Sequence, residues 1–260
     1  VRVLLVLLSS ILASAVDDER IVRNPVRAQS VRAPKLEKRK VVPWTAEQVA
    51  AVRDAMPDRW AAIVDVGAGM GLRISEATAL AVEDIDFLRH TVHVRRAVKR
   101  VRGRLVFGPP KGGRERDVAL PDSVAVALAE HIRQHPPQAV TLPWEATSKP
   151  AAVRLLFTTA SGQVIEQNGW NATVWHRARK AAAPAHGQDI GYHALRHYYA
   201  SYLVSEGADI VSVSEMLGHH SAAFTLNTYS HLMPSAADRI RAIIDRREIG
   251  TSPAREAGNR

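Results

Sequence analysis

HALRH at 193–197 and LGHHSAAFTLNTYSHL at 217–232 decide how this chain is read. His193 and Arg196 are three residues apart, so on a helix both side chains project from one face and can reach a common cluster of oxygens. Further on, Leu217 and Gly218 have the form of a helix that closes on glycine and exposes the next side chain, His219. Tyr229 follows in a segment of helical pattern, Ala222 to Tyr229. Each feature has a plain alternative. His193 and His197 have the i, i+4 spacing of a metal pair but lack the acidic residue of a zincin between them, and a single Tyr on a helix often only packs.

Two upstream stretches add to these. GMGLRISE at 69–76 sets Arg73 after a glycine-rich turn, where backbone can approach a ligand and the following helix offers N–H donors to an anion. Its guanidinium could grip a phosphate with two donors, or simply pair with Glu76 at i+3. PPKGGRERDVALP at 109–121 puts Lys111 in a turn with Gly112 and Gly113, between two strand-like stretches. Its long stem could swing onto a ligand, or stay solvated.

The 260 residues are 46% hydrophobic, enough for a sizeable core, and carry a net charge of +9 with a pI near 10.2. That balance suits a polyanion such as nucleic acid. With no cysteine, a disulfide framework, a thiol nucleophile and a thiolate zinc site are excluded, and the cytoplasm is the natural compartment. The apolar run Val3 to Val16 behind Arg2 has the outline of a secretory leader, is too short to span a bilayer, and also fits a buried helix.

The pattern along the chain predicts a basic, proline-containing linker over 25–41 and a main domain over 42–248, with a disordered tail over 249–260. Thr45 and Gln48 form a capping-box pattern. Helices are expected over Trp60 to Gly67, Ser75 to Val82, Pro121 to Gln134, Asn168 to Ala182, Tyr192 to Glu206, Asp209 to Leu217, Ala222 to Tyr229 and Ser235 to Arg247. His90 to Val98, Gly103 to Phe107 and Arg116 to Leu120 are expected to form one small antiparallel sheet. The fold class is therefore mainly α with a small antiparallel β-sheet.

In this order the four segments resemble the catalytic signature of tyrosine recombinases of the phage integrase type. The resemblance runs from about residue 21 to 246, and IVRNP at 21–25 and Leu80 to Asp86 resemble the family's connecting text. It implies a DNA breaking-rejoining fold in which Tyr229 is the nucleophile, Arg73, Arg196 and His219 bind the scissile phosphate, Lys111 is the general acid and His193 a base or orienting group. It further implies strand exchange through a 3′-phosphotyrosyl link with neither metal nor cofactor, on double-stranded DNA held by a homo-tetramer in the bacterial nucleoid. On this reading residues 1–24 are the last helix of an otherwise missing core-binding domain rather than a leader. Arg32, Lys35, Lys38, Arg39 and Lys40 of the linker, with Arg95, Arg96, Lys99 and Arg100 of the hairpin region, would touch DNA backbone. A non-catalytic DNA-binding regulator and a type IB topoisomerase-like nicking enzyme remain as alternatives.

Overall fold

The computed structural model describes residues 2–32 and 40–245, so the expected tail and the linker positions Lys35, Lys38 and Arg39 lie outside the described residues. The chain divides into two compact units, Val1–Arg39 and Lys40–Arg260. In the first, helix α1 (Arg2–Asp17) leads to a single 3-10 turn, Pro25–Arg27. Asn24 caps that turn by accepting from the Val26 N–H at 3.0 Å, and its amide donates to the Ser9 carbonyl at 2.8 Å. Leu4, Val6, Leu7, Leu8 and Ile11 are exposed on α1.

The second unit opens with α2 (Ala46–Ala55), started by the Thr45–Gln48 capping box. Next comes α3 (Asp58–Met70), three residues longer than the pattern predicts at its C-terminal end. It closes on Gly71 in the left-handed region, φ 65°, where a Cβ would lie 2.5 Å from the Tyr199 ring and 2.9 Å from Leu217, so only glycine fits. Where a helix to Val82 is expected, α4 (Ile74–Ala77) lasts one turn. Thr78 returns its hydroxyl to the Ile74 carbonyl at 2.9 Å, and Asp84 accepts the Ala81 N–H, starting a tighter turn.

The expected single sheet is three small ones. Strands β1 (Ile85–Asp86), β2 (Thr91–Val94) and β5 (Arg116–Ala119) form the first, with Val92 opposite Val118. Strands β3 (Ala97–Val101) and β4 (Arg104–Gly108) form a separate hairpin. The run 90–98 breaks because Arg96 turns inward to bind buried Asp84 through two hydrogen bonds, 2.6 and 3.1 Å. After α5 (Asp122–Gln134), strands β6 (Gln138–Pro143) and β7 (Pro150–Leu155) make a third pair with no counterpart in the sequence reading.

The expected helix over 168–182 is instead irregular: α6 (Gln167–Trp170), a π-helical turn over Asn171–Trp175, α7 (His176–Ala178) and a 3-10 turn. The wide turn brings residues five apart into line, and Trp170 and Trp175 stack with ring centroids 6.0 Å apart. The chain then runs through α8 (His193–Ser205), α9 (Ile210–Leu217), α10 (Ala222–Tyr229) and α11 (Ala236–Asp245).

Ile63, Val64, Val66 and Met70 of α3 are fully buried against Val92, Val118 and Leu128, and each such side chain contributes about 1.5–3 kcal/mol through burial. A smaller cluster of Tyr199, Val204, Val213, Leu217 and Tyr229 joins α8, α9 and α10. This cluster is the floor of the site.

Candidate active site

Three arginines from three distant segments converge on the last carbonyls of α9. Arg116 Nε donates to Met216 O at 2.7 Å. Arg196 donates to Leu217 O and, at 2.7 Å, to Gly71 O. Arg73 reaches Leu217 O at 3.4 Å and Gly218 O at 3.3 Å. A helix C-terminus carries unpaired carbonyls and the negative end of the dipole, so it is a natural seat for cations. Gly218 makes the arrangement possible. At φ 61° it ends α9 and turns its carbonyl toward Arg73, and a Cβ there would press on the Arg116 guanidinium at 3.1 Å.

One carboxylate faces these cations. Glu76, with no exposed side-chain surface, bonds Arg73 at 2.9 Å and Arg116 at 2.7 Å, and also accepts the Arg73 backbone N–H at 3.0 Å. Burial pushes its carboxyl upward, but Arg116 and Arg73 outweigh this and hold it below the usual range. The Arg73 backbone N–H at the start of α4 is therefore already used by Glu76. Three guanidinium groups against one carboxylate leave an excess of positive charge.

The histidines register that excess. His219 is pushed down to about 3, by burial and then by Arg196 and Arg73. His193 is pushed to about 4, by burial, His197 and Arg196, although its exposed edge lets water screen part of the effect. Both rings are neutral at pH 7. His219 Nδ1 is fixed by the Thr225 hydroxyl at 2.7 Å, and its ring meets Phe224 edge-on.

Depressed histidines set the sign of an acid response. The unfolded chain takes up these protons near pH 6.5 while the fold resists them, so stability is complete above about 6.5 and is lost as pH falls toward 4. Calorimetry should show the melting temperature dropping through this window. Inorganic phosphate, by neutralising the arginines, should flatten the drop, and His219→Asn should do so in part.

Tyr229 ends α10 with 1% of its surface exposed. Burial pushes its hydroxyl up to about 12 against the opposing pull of Arg196. The side chain that meets the hydroxyl is His197, with Nδ1 at 2.8 Å. His193 instead lies edge-on to His197, centroids 4.6 Å apart. In the sequence His197 stands out only as half of a metal pair, and among the described residues no group of three or more His, Cys, Asp or Glu is placed to hold a metal ion. Arg116 likewise carries no local sign of a place in the site, being the first residue of an expected strand.

Lys111 is exposed on the turn between β4 and β5. Gly112 and Gly113 there have φ of 87° and 72° with open space around them, so the turn tip is unobstructed. The other basic residues expected near DNA differ in their surroundings. Arg32 and Lys40 are exposed. Arg95 is nearly half exposed and 3.8 Å from Asp84, whereas Arg96 is bound to Asp84 within the fold. Lys99 pairs with Glu145 at 2.6 Å, and Arg100 with Glu166 at 3.4 Å.

The model of the phage integrase family matches residues 43–235, which contain every residue of this site. The chain belongs to the phage integrase family. Relatives of this integrase-family chain include a protein named as a prophage phiRv2 integrase in Mycobacterium tuberculosis (strain CDC 1551 / Oshkosh), 29% identical over 246 residues, which are 92% of this chain and 60% of the relative. Tyrosine recombinase XerC of Bifidobacterium longum (strain DJO10A) is 33% identical over 178 residues, 68% of this chain and 44% of the relative. The chain thus spans 60% or less of the length of these two relatives. Its fold is that of a Tn1549 transposon integrase solved with a circular intermediate DNA, TM-score 0.69 at 21% identity, covering 92% of this chain and 76% of that one. A lambda integrase dimer bound to a COC′ core site superposes with TM-score 0.62 at 17% identity, covering 86% and 72%.

Proposed function

We propose that this chain is a site-specific recombinase of phage or mobile-element origin that cleaves and rejoins double-stranded DNA through Tyr229. The observation that carries this reading is the excess positive charge of Arg73, Arg116 and Arg196 over Glu76, formed beside a buried tyrosine whose hydroxyl is hydrogen-bonded to a histidine ring. A phosphodiester is the anion that both halves of such a site could use.

In the proposed reaction Tyr229 Oη attacks the scissile phosphorus and the bond to O5′ breaks, leaving a 3′-phosphotyrosyl link and a free 5′ hydroxyl. Charge growing on the non-bridging oxygens is met by Arg73 and Arg196, work that divalent metals do in other enzymes. His219, its Nδ1 occupied by Thr225, donates from Nε2. His193, on the Arg196 face of α8, helps to hold the phosphate, and Lys111 swings in to protonate O5′. Rejoining is the same path reversed.

Arg32, Lys35, Lys38, Arg39, Lys40, Arg95, Lys99 and Arg100 would add backbone contacts that give affinity and a steep salt dependence. Residues 1–24 are read as the last helix of a core-binding domain, supported by the apolar side chains exposed on α1. Residues 25–41 are read as a linker and 42–248 as the catalytic domain. Four copies would meet on paired DNA sites in the bacterial cytoplasm.

The test is covalent capture from a library of nicked duplexes with randomised cores. A protease-sensitive adduct should form, and mass spectrometry should place the nucleotide on Tyr229. A chain that retains duplex DNA without ever forming the adduct is a regulator, and this reading fails. An enzyme that forms the adduct but never joins two matched duplexes is a nicking-closing enzyme.

A further inference from the structure

His197 has no part in the chemistry above, yet it makes the hydrogen bond to the attacking group. Its Nδ1 lies 2.8 Å from Tyr229 Oη, and the two ring centroids are 5.8 Å apart. One turn of α8 orients it: His193, four residues earlier, packs edge-on against its ring at 4.6 Å. The groups facing it are Tyr229 from α10, His193 and Arg196 from its own helix, and Asp189 from the segment before α8.

We propose that His197 is the general base of the reaction, accepting the Tyr229 proton at Nδ1 as Oη bonds to phosphorus. This rests on the proposed function and adds the proton acceptor to it. Burial and Arg196 favour the neutral ring over the pull of Asp189, so the imidazole is unprotonated at pH 7 and can accept. The phenol keeps its proton at rest, because burial holds it far above neutrality. No transfer occurs in the resting site; the proton leaves only as the new O–P bond withdraws charge from Oη. The balance closes locally: the O–H electrons form the bond to phosphorus, the proton moves to Nδ1, the P–O5′ bond breaks, and O5′ takes its proton from Lys111. In rejoining, His197 returns the proton to Oη.

His197→Asn separates holding from accepting, since its amide oxygen can stand near the Nδ1 position and accept the hydroxyl but cannot take up the proton. In single-turnover cleavage of a captured nicked duplex at pH 7, this variant should be about 10²–10⁴-fold slower than the native chain. Its rate should climb about tenfold per pH unit toward pH 10, as hydroxide supplies what the ring cannot. A 5′-bridging sulfur, whose thiolate leaves without a proton, should rescue Lys111→Ala and leave His197→Asn slow. A His197→Asn rate within about threefold of native from pH 6 to 10, or rescue by the sulfur, would overturn the assignment.

A second measurement needs no cleavage. Nitrogen-15 NMR of the ring should show His197 protonated at Nε2 and bare at Nδ1, with the Nδ1 signal moving in Tyr229→Phe. A proton resident on Nδ1 overturns the proposal even if the chain cleaves DNA. If no duplex is captured, the function proposed above fails, and the NMR result still decides which way this hydrogen bond runs.

Discussion

Tyr229→Phe is expected to eliminate the covalent adduct, a loss of at least about 10³-fold, while changing duplex affinity less than about twofold. The two effects separate because the hydroxyl is buried, with His197 as its partner. Removing it takes away the proposed attacking atom and no charged group that could hold a DNA backbone. Phenylalanine keeps the ring among Tyr199, Val213 and Leu217, so the fold should lose only about 1–3 kcal/mol from leaving the partly buried His197 Nδ1 without its hydrogen-bond donor. Gel analysis of adducts beside fluorescence anisotropy on the same duplex checks both halves. Residual adduct in this variant would mean that another nucleophile does the chemistry.

Glu76→Ala should be the most damaging change to stability within the site. Breaking a buried ion pair by removing one partner costs about 3–5 kcal/mol, because the remaining charge stays buried without compensation. Here two guanidinium groups would be stranded, Arg116 with 8% and Arg73 with 19% of its side chain exposed. At roughly 2–4 °C per kcal/mol for a domain of this size, the melting temperature should fall by about 6–20 °C. Added inorganic phosphate should recover part of the loss, since it supplies the missing negative charge, and the recovery should exceed that of the native chain. A variant that melts within a degree or two of native would show that Glu76 does not hold these arginines in place.

The residues of the site were easier to find in the sequence than the arrangement around them. Arg73, His193, Arg196, His219 and Tyr229 stand in short, ordered segments, and their helices follow local signals such as the Asp209 and Ser221 caps and the closing glycines at 71 and 218. Arg116 was hidden because its partner Glu76 is 40 positions away, and no local pattern joins them. His197 was hidden because the value of its i, i+4 place after His193 depends on where Tyr229 docks, across 32 positions. The inward turn of Arg96 also depends on a distant partner, Asp84, and it divides what reads as one continuous strand. The pair β6 and β7 is hidden for another reason: β6 ends and β7 begins on proline, which reads as a break, and the pairing places Pro143 opposite Pro150 at the hairpin end.

The meeting of three arginines at the end of α9 has a consequence for the order in which the protein is made. Arg73 and Arg116 wait for carbonyls that lie 100 to 145 positions later in the chain. At about 5–20 residues per second, a ribosome delivers those carbonyls several seconds after the arginines have emerged. Until then neither the proposed phosphate seat nor, Tyr229 being later still, the proposed nucleophile exists. Under the proposed function, a growing polypeptide of this kind could not cut the DNA beside it, and cutting would become possible only once the last part of the site is translated.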